Sequence, residues 1–177
     1  MKHYFVNRSL AIAILVLPLL LASVPQAFAQ RSTNPPANKE VPVRELLKLP
    51  GRVVSETKLA RPSGDLKLTG YRVEELSLPR SLTVQVQGQQ AVVDRAWRVT
   101  VNGGPFPVRA MPAFIWIDDQ IVGTGIENET LSQITAITFD SSLIREGGVV
   151  SISYGEDKDA RVRISQRIQL KREGENQ

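Results

Sequence analysis

Residues 97–104 read WRVTVNGG, and their rhythm decides the fold class. Trp97, Val99 and Val101 alternate with Arg98, Thr100 and Asn102 before the stop at Gly103-Gly104. Successive side chains of an extended strand point to opposite faces, so this stretch has one dry face and one wet face. The same period of two recurs on both sides of it. Leu82, Val84 and Val86 alternate with Thr83, Gln85 and Gln87 up to Gly88. Val150, Ile152 and Tyr154 alternate with Ser151 and Ser153 up to Gly155. Val162, Ile164, Ile168 and Leu170 alternate with Arg161, Arg163, Arg167 and Gln169. Two further runs, 113–117 and 134–139, are apolar on both faces or nearly so, which suits central strands.

Turn formers separate these runs: Asp118-Asp119-Gln120, Gly123-Thr124-Gly125, Glu146-Gly147-Gly148 and Glu156-Asp157-Lys158-Asp159. Short strands at this spacing, without a long amphipathic helix, predict an all-β fold, a β-sandwich or barrel. A single Ser-capped helical turn is expected over residues 141–146. Residues 41–76 carry a weaker pattern: a short helical turn at 44–48, Val53-Val54, a turn at Pro62-Ser63-Gly64, then Leu66, Leu68, Tyr71 and Val73, broken in phase at Gly70. They read as an N-terminal extension that either precedes the sandwich or joins it, with the sandwich itself at 77–172 and a tail at 173–177.

The start of the chain has a different character. Lys2 and Arg8 precede an almost unbroken apolar run at 10–24, and Ala27-Phe28-Ala29 follows. This is the three-part pattern of a secretory signal, with an apolar core of about 15 residues, short of the roughly 20 that span a bilayer. Residues 1–29 are therefore expected to be cleaved. The polar, Pro-Pro-containing stretch 30–40 is expected to be a flexible leader. The predicted location is exported, periplasmic or secreted, with no transmembrane segment after cleavage.

Composition narrows the chemistry. The chain is 42% hydrophobic and 23% charged with a formal charge of +4, and losing Lys2 and Arg8 with the signal halves that charge. So small an excess gives no electrostatic case for nucleic acid. There is no cysteine, and the only histidine is His3, inside the signal. The mature domain lacks the commonest general base and the two best zinc ligands, and no disulfide supports it. No Gly-x-Ser-x-Gly elbow and no phosphate loop is present. No catalytic residue, metal or cofactor is expected.

Residues from about 95 to 170 resemble an IPT/TIG domain, a family of immunoglobulin-like sandwiches. The strand at 97–101 followed by Gly103-x-x-Phe106, the short strand Ile115-Trp116-Ile117-Asp118, and 134–139 leading through Gly147-Gly148 into 149–153 carry the likeness. The resemblance implies the sandwich fold and a binding or spacer role.

Four surface residues stand out. Arg161, Arg163, Arg167 and Lys171 share one face of the last strand if Val162 and Ile164 point inward, in steps of about 6.8 Å per two residues. Such a row is a candidate partner-binding surface for a protein or anionic polymer of the cell envelope. A solvated or aggregation-blocking edge strand is its ordinary explanation. Trp97 and Trp116 are candidates for a ligand pocket, although a core tryptophan between sheets is the commoner role. Asp118, Asp119, Glu127, Glu129 and Asp140 are the best set of oxygen ligands for Ca²⁺, without the spacing of a known loop. Asn128-Glu129-Thr130 is an N-glycosylation sequon. These features predict an exported non-catalytic binding or scaffolding domain. A carbohydrate-recognition module and a small carboxylate- or Ser-Lys-based hydrolase are the alternatives.

Overall fold

A computed structural model describes residues 43–171, so the expected signal peptide, leader and tail lie outside the described residues. After one helical turn, α1 (Val43–Leu46), come nine strands: β1 (Gly51–Ser63), β2 (Leu68–Val86), β3 (Gln89–Asn102), β4 (Ala113–Ile117), β5 (Gln120–Thr124), β6 (Ile126–Glu127), β7 (Gln133–Thr138), β8 (Val149–Tyr154) and β9 (Val162–Arg167). They form two antiparallel sheets, ordered β1-β2-β3-β7-β6 and β5-β4-β8-β9. The fold is all-β, as the alternation predicts, and it is a sandwich. Among the described residues no helix is long and apolar enough to cross a membrane.

The period-two runs supply the interior. Tyr71, Val73, Val99, Val101, Ile134 and Ala136 from the larger sheet meet Ile115, Ile117, Val122, Val150, Ile152 and Ile164 from the smaller one, all buried. Burying each large apolar side chain contributes about 1.5–3 kcal/mol, so this layer is the main source of stability in a chain without cysteine.

Residues 51–76 are an integral part of the larger sheet. β2 runs straight through the expected boundary at 76–77. Their pattern is weak for two reasons. At Gly70 the backbone passes so close to β1 that a Cβ would lie 2.2 Å from the Thr57 carbonyl oxygen, and the facing changes there, since Leu68 and Tyr71 are both in the core. Farther on, Ser77 pairs with Arg95 and Leu82 with Val93, so residues 78–81 bulge opposite Asp94 alone. Pro79 sits in that bulge, where its missing N–H costs no ladder bond. Beyond it, β2 and β3 continue as a two-stranded arm.

The expected helical turn after β7 is a 3-10 turn, Ser141–Leu143. Its cap is Asp140 rather than a serine: the Asp140 carboxylate accepts the Ser142 backbone N–H at 2.9 Å. Asp outcompetes Ser here because its oxygens also accept the Ser142 hydroxyl and the Gln87 amide.

Where β1 and β9 approach, polar bonds tie the sheets together. The Tyr71 hydroxyl, on β2, donates to the Arg167 carbonyl at 3.1 Å and bonds the Ser55 hydroxyl at 3.2 Å. The Lys171 N–H donates to the Val54 carbonyl at 2.8 Å. Tyr71→Phe keeps the ring and removes both hydroxyl bonds. We expect it to lower unfolding stability in urea by about 1–2 kcal/mol without changing the circular dichroism of the folded state.

Candidate functional site

The outer face of the larger sheet carries a wide groove. Side chains that alternate with the core residues face away from it. On β2 these are Arg72 and Glu74; on β3, Arg98, Thr100 and Asn102; on β7, Gln133 and Thr135. Together with Lys58 and Glu56 of β1 and Ile126–Glu127 of β6 they line an open groove of about 780 Å³. Thr100 and Thr135 share a hydroxyl bond at 3.1 Å, and Gln133 donates to Asn102 at 3.0 Å.

Leu47, just after α1, joins the lining of the groove. The Arg98 guanidinium donates to the Leu47 and Leu49 carbonyls at 2.7 and 3.1 Å, satisfying acceptors left over at the helix end. The same guanidinium binds Glu74 at 2.8 Å, and Arg72 reaches the other oxygen of Glu74 at 3.1 Å. Glu74 is only 7% exposed, and a carboxylate so buried needs such partners. Arg72 itself is incompletely satisfied. Its Nε is buried and donates to nothing in the structure. Leaving such a donor unmatched costs about 1–3 kcal/mol, so it is a stored preference for an acceptor.

Asn128, on the rim, accepts the Ser132 and Gln133 N–H groups and donates to the Thr130 and Ser132 hydroxyls. Its amide is therefore the organiser of the 128–133 loop. The sequon asparagine is committed to its own turn in this structure.

The basic row divides. Arg163 and Arg167 are exposed on β9 and face a cleft of about 240 Å³ that also holds Asp118, Asp119 and Ser151. Lys171 is exposed beyond the strand. Arg161 does not join them. Its side chain is 5% exposed and lies across Trp116, 5.1 Å from the ring centre. It donates to Asp119 at 2.7 Å, to the Lys158 carbonyl at 2.7 Å, and to the Asp118 carbonyl. Partners on every side hold this cation in place.

Trp116 is 2% exposed, yet it is not a core residue between the sheets as expected. Its strand neighbours Ile115 and Ile117 take the inward positions, which sends Trp116 to the outer face of the smaller sheet. Arg161 covers it there, and its indole N–H donates to the Ser153 hydroxyl at 2.8 Å. Trp97 is half-buried against the core, at the level of Glu75 and Thr138. Neither tryptophan lines the large groove.

The acids expected as a cation cage are dispersed. Asp118 binds Arg145 at 2.5 Å, Asp119 binds Arg161, Glu127 accepts from Tyr154 at 3.3 Å, and Asp140 caps its turn. Among the described residues no three acidic, histidine or cysteine side chains converge. Burial, with Glu127 beside it, pushes the Tyr154 phenol up to about 12.

Alternation made the wet face of β3 legible in advance. The importance of Arg72, Glu74 and Arg98 was not, because their roles depend on α1 folding back over the sheet. No family model matches this chain, and no curated protein or solved structure is significantly similar to it.

Two measurements follow from this geometry. In a Trp97→Phe background Trp116 is the sole tryptophan, and adding Arg161→Ala is expected to raise its acrylamide quenching several-fold and shift its emission to the red. Unchanged quenching would mean that the ring is covered without Arg161. The second concerns acid. The Arg52 bond holds Glu75 below the usual carboxylate range, the Arg145 bond does so for Asp118, and the Arg161 bond for Asp119. At Asp140 burial pulls upward, but the Ser142 and Gln87 bonds outweigh it. Each depressed pKa contributes stability above the unfolded value, and that stability is lost as pH falls through the folded value. We expect a flat melting temperature from neutral pH to about pH 4.5 and a decline below, toward the lowered pKa values. Asp118→Asn should make that acid decline shallower.

Proposed function

We propose that this chain is an exported, non-catalytic binding domain that holds an extended segment of a protein partner in the groove on the outer face of its larger sheet. One observation carries this reading: the buried, acceptor-less Nε of Arg72 in that groove. The Arg72 side chain is otherwise partly exposed, so a backbone carbonyl or carboxylate of a bound segment can pair with the outer part of its guanidinium. The rest of the lining suits a polypeptide. Lys58, Arg72 and Arg98 are balanced by Glu56, Glu74 and Glu127, and the threonines and amides offer donors and acceptors along the floor. Such a mixture matches the alternating polarity of a peptide better than a polyanion.

Export rests on the signal pattern of residues 1–29. The IPT/TIG-like character of residues 95–170 belongs to the same reading and agrees with a binding role. The other readings have less support. Sugar recognition through Trp116 requires Arg161 to leave the ring. Hydrolysis by carboxylates needs an acid with a raised pKa, whereas Glu75, Asp118, Asp119 and Asp140 are held below the usual carboxylate range. An anionic polymer on Arg163, Arg167 and Lys171 meets Asp118 and Asp119 in the same cleft.

Site-specific photocrosslinking in the producing cell separates these surfaces. Benzoylphenylalanine at Thr100 is expected to capture a discrete protein adduct, and the same probe at Ser165, between Arg163 and Arg167, is not. Arg72→Ala should reduce the Thr100 adduct by about tenfold, the equivalent of one charge-assisted hydrogen bond. A discrete adduct at Ser165 alone would sink the groove reading in favour of the basic strand.

A further inference from the structure

The arm formed by the far halves of β2 and β3 presents an unusual strand edge. β7 pairs with β3 only from Trp97 to Asn102. Beyond Trp97, residues 89–95 pair with β2 alone among the described residues. Their other side is a strand edge seven residues long, about 24 Å of unpaired backbone groups at 3.4 Å per residue. Val92, in the middle, is 74% exposed.

Exposed edges normally carry a deterrent: proline, lysine, a bulge, shortness or cover. The other edges have one. β1 bears Lys58 and Pro62 and lies against β9; β9 bears Arg163 and Arg167; β5 has five residues and β6 only two. Residues 89–95, QQAVVDR, contain no proline and no lysine, their two charges, Asp94 and Arg95, sit together at one end, and the arm's bulge lies on β2 rather than on this strand. Its outermost residues are instead complementary to themselves. Set antiparallel about Val92, Val92 faces Val92, Ala91 faces Val93, Gln90 faces Asp94, and Gln89 faces Arg95. No like charges oppose each other, and each pair joins residues of the same face.

We propose that this edge pairs with the same edge of a second copy of this chain, antiparallel and related by a twofold axis through Val92. The contact is isologous, so it closes at two copies and does not propagate into a fibre. Backbone bonds between the two edges supply the ladder, and the two Val92 side chains cover each other at the centre. A seven-residue strand pair is a small interface, below the roughly 1,200 Å² of a standard one, so the dimer is concentration-dependent rather than permanent. The outer groove lies elsewhere on the sheet, and the two features stand independently.

The absence of cysteine makes the test direct. Sedimentation velocity of the chain as isolated from producing cells is expected to show monomer passing to dimer as concentration rises. Val92→Lys places two ammonium groups at the axis and should raise the dimer dissociation constant by about tenfold or more, with unchanged circular dichroism. Under mild oxidation Val92→Cys should give covalent dimer about tenfold faster than Gln169→Cys, since the axis holds its two thiols together. Ala91→Cys and Val93→Cys should each crosslink slowly alone and quickly when mixed, which reports the register. Monomer at every concentration, or equal crosslinking at 92 and 169, would overturn the proposal. Fast crosslinking of Ala91→Cys with itself would overturn the register on which it rests.

Discussion

Everything in this domain depends on apolar contact between two sheets that no covalent link holds together. Tyr71, Val73, Val99 and Val101 on one side and Ile115, Ile117, Val150 and Ile152 on the other are almost entirely removed from water. Ordering a chain of this length costs conformational entropy on the order of 1–2 kcal/mol per residue, and only a continuous dry layer offsets it. The requirement also dictates where polar chemistry sits. A strand that commits alternate residues to the interior presents the others outward, so the functional possibilities lie on the outer faces and edges. The hydroxyl of Tyr71 is the exception, and it is satisfied at once by Ser55 and the Arg167 carbonyl.

The two outer faces treat buried cations differently. On the larger sheet, Arg98 is enclosed by a carboxylate and the Leu47 and Leu49 carbonyls, and it anchors the turn after α1 at the groove. Arg72 beside it retains a donor without an acceptor. On the smaller sheet, Arg161 has partners in every direction and spends its guanidinium on covering Trp116. A saturated group rigidifies its surroundings, whereas an unsaturated one attracts a ligand. The proposed groove therefore sits beside the unsaturated cation, and the Arg161–Trp116 stack is packed as architecture.

The arm brings a third element. A bulge of four residues opposite one interrupts the β2–β3 ladder, and the arm tip is fastened by Gln87 to Asp140 and Ser142. Fastening at the tip holds the strand pair in place while leaving the β3 edge without a neighbour among the described residues. A two-stranded ribbon of this kind is marginal by itself, so such an anchor is needed.

By itself, the order of amino acids determined that the fold is all-β and which face of most strands is dry, because period-two alternation is a local property that needs no partner to be read. Val99, Ile152 and Ile164 were assigned inward from their neighbours alone. Only the tertiary structure decided what depends on residues distant along the chain. Trp116 lies outside the core because Ile115 and Ile117 claim the space between the sheets, and Arg161 left the basic row because Trp116 and Asp119 were within its reach. The groove emerged only when the turn after α1 and five strands were brought together around Arg72, Glu74 and Arg98. Long-range electrostatic and packing choices of this sort leave no periodic trace, since the groups that make them come from separate parts of the chain.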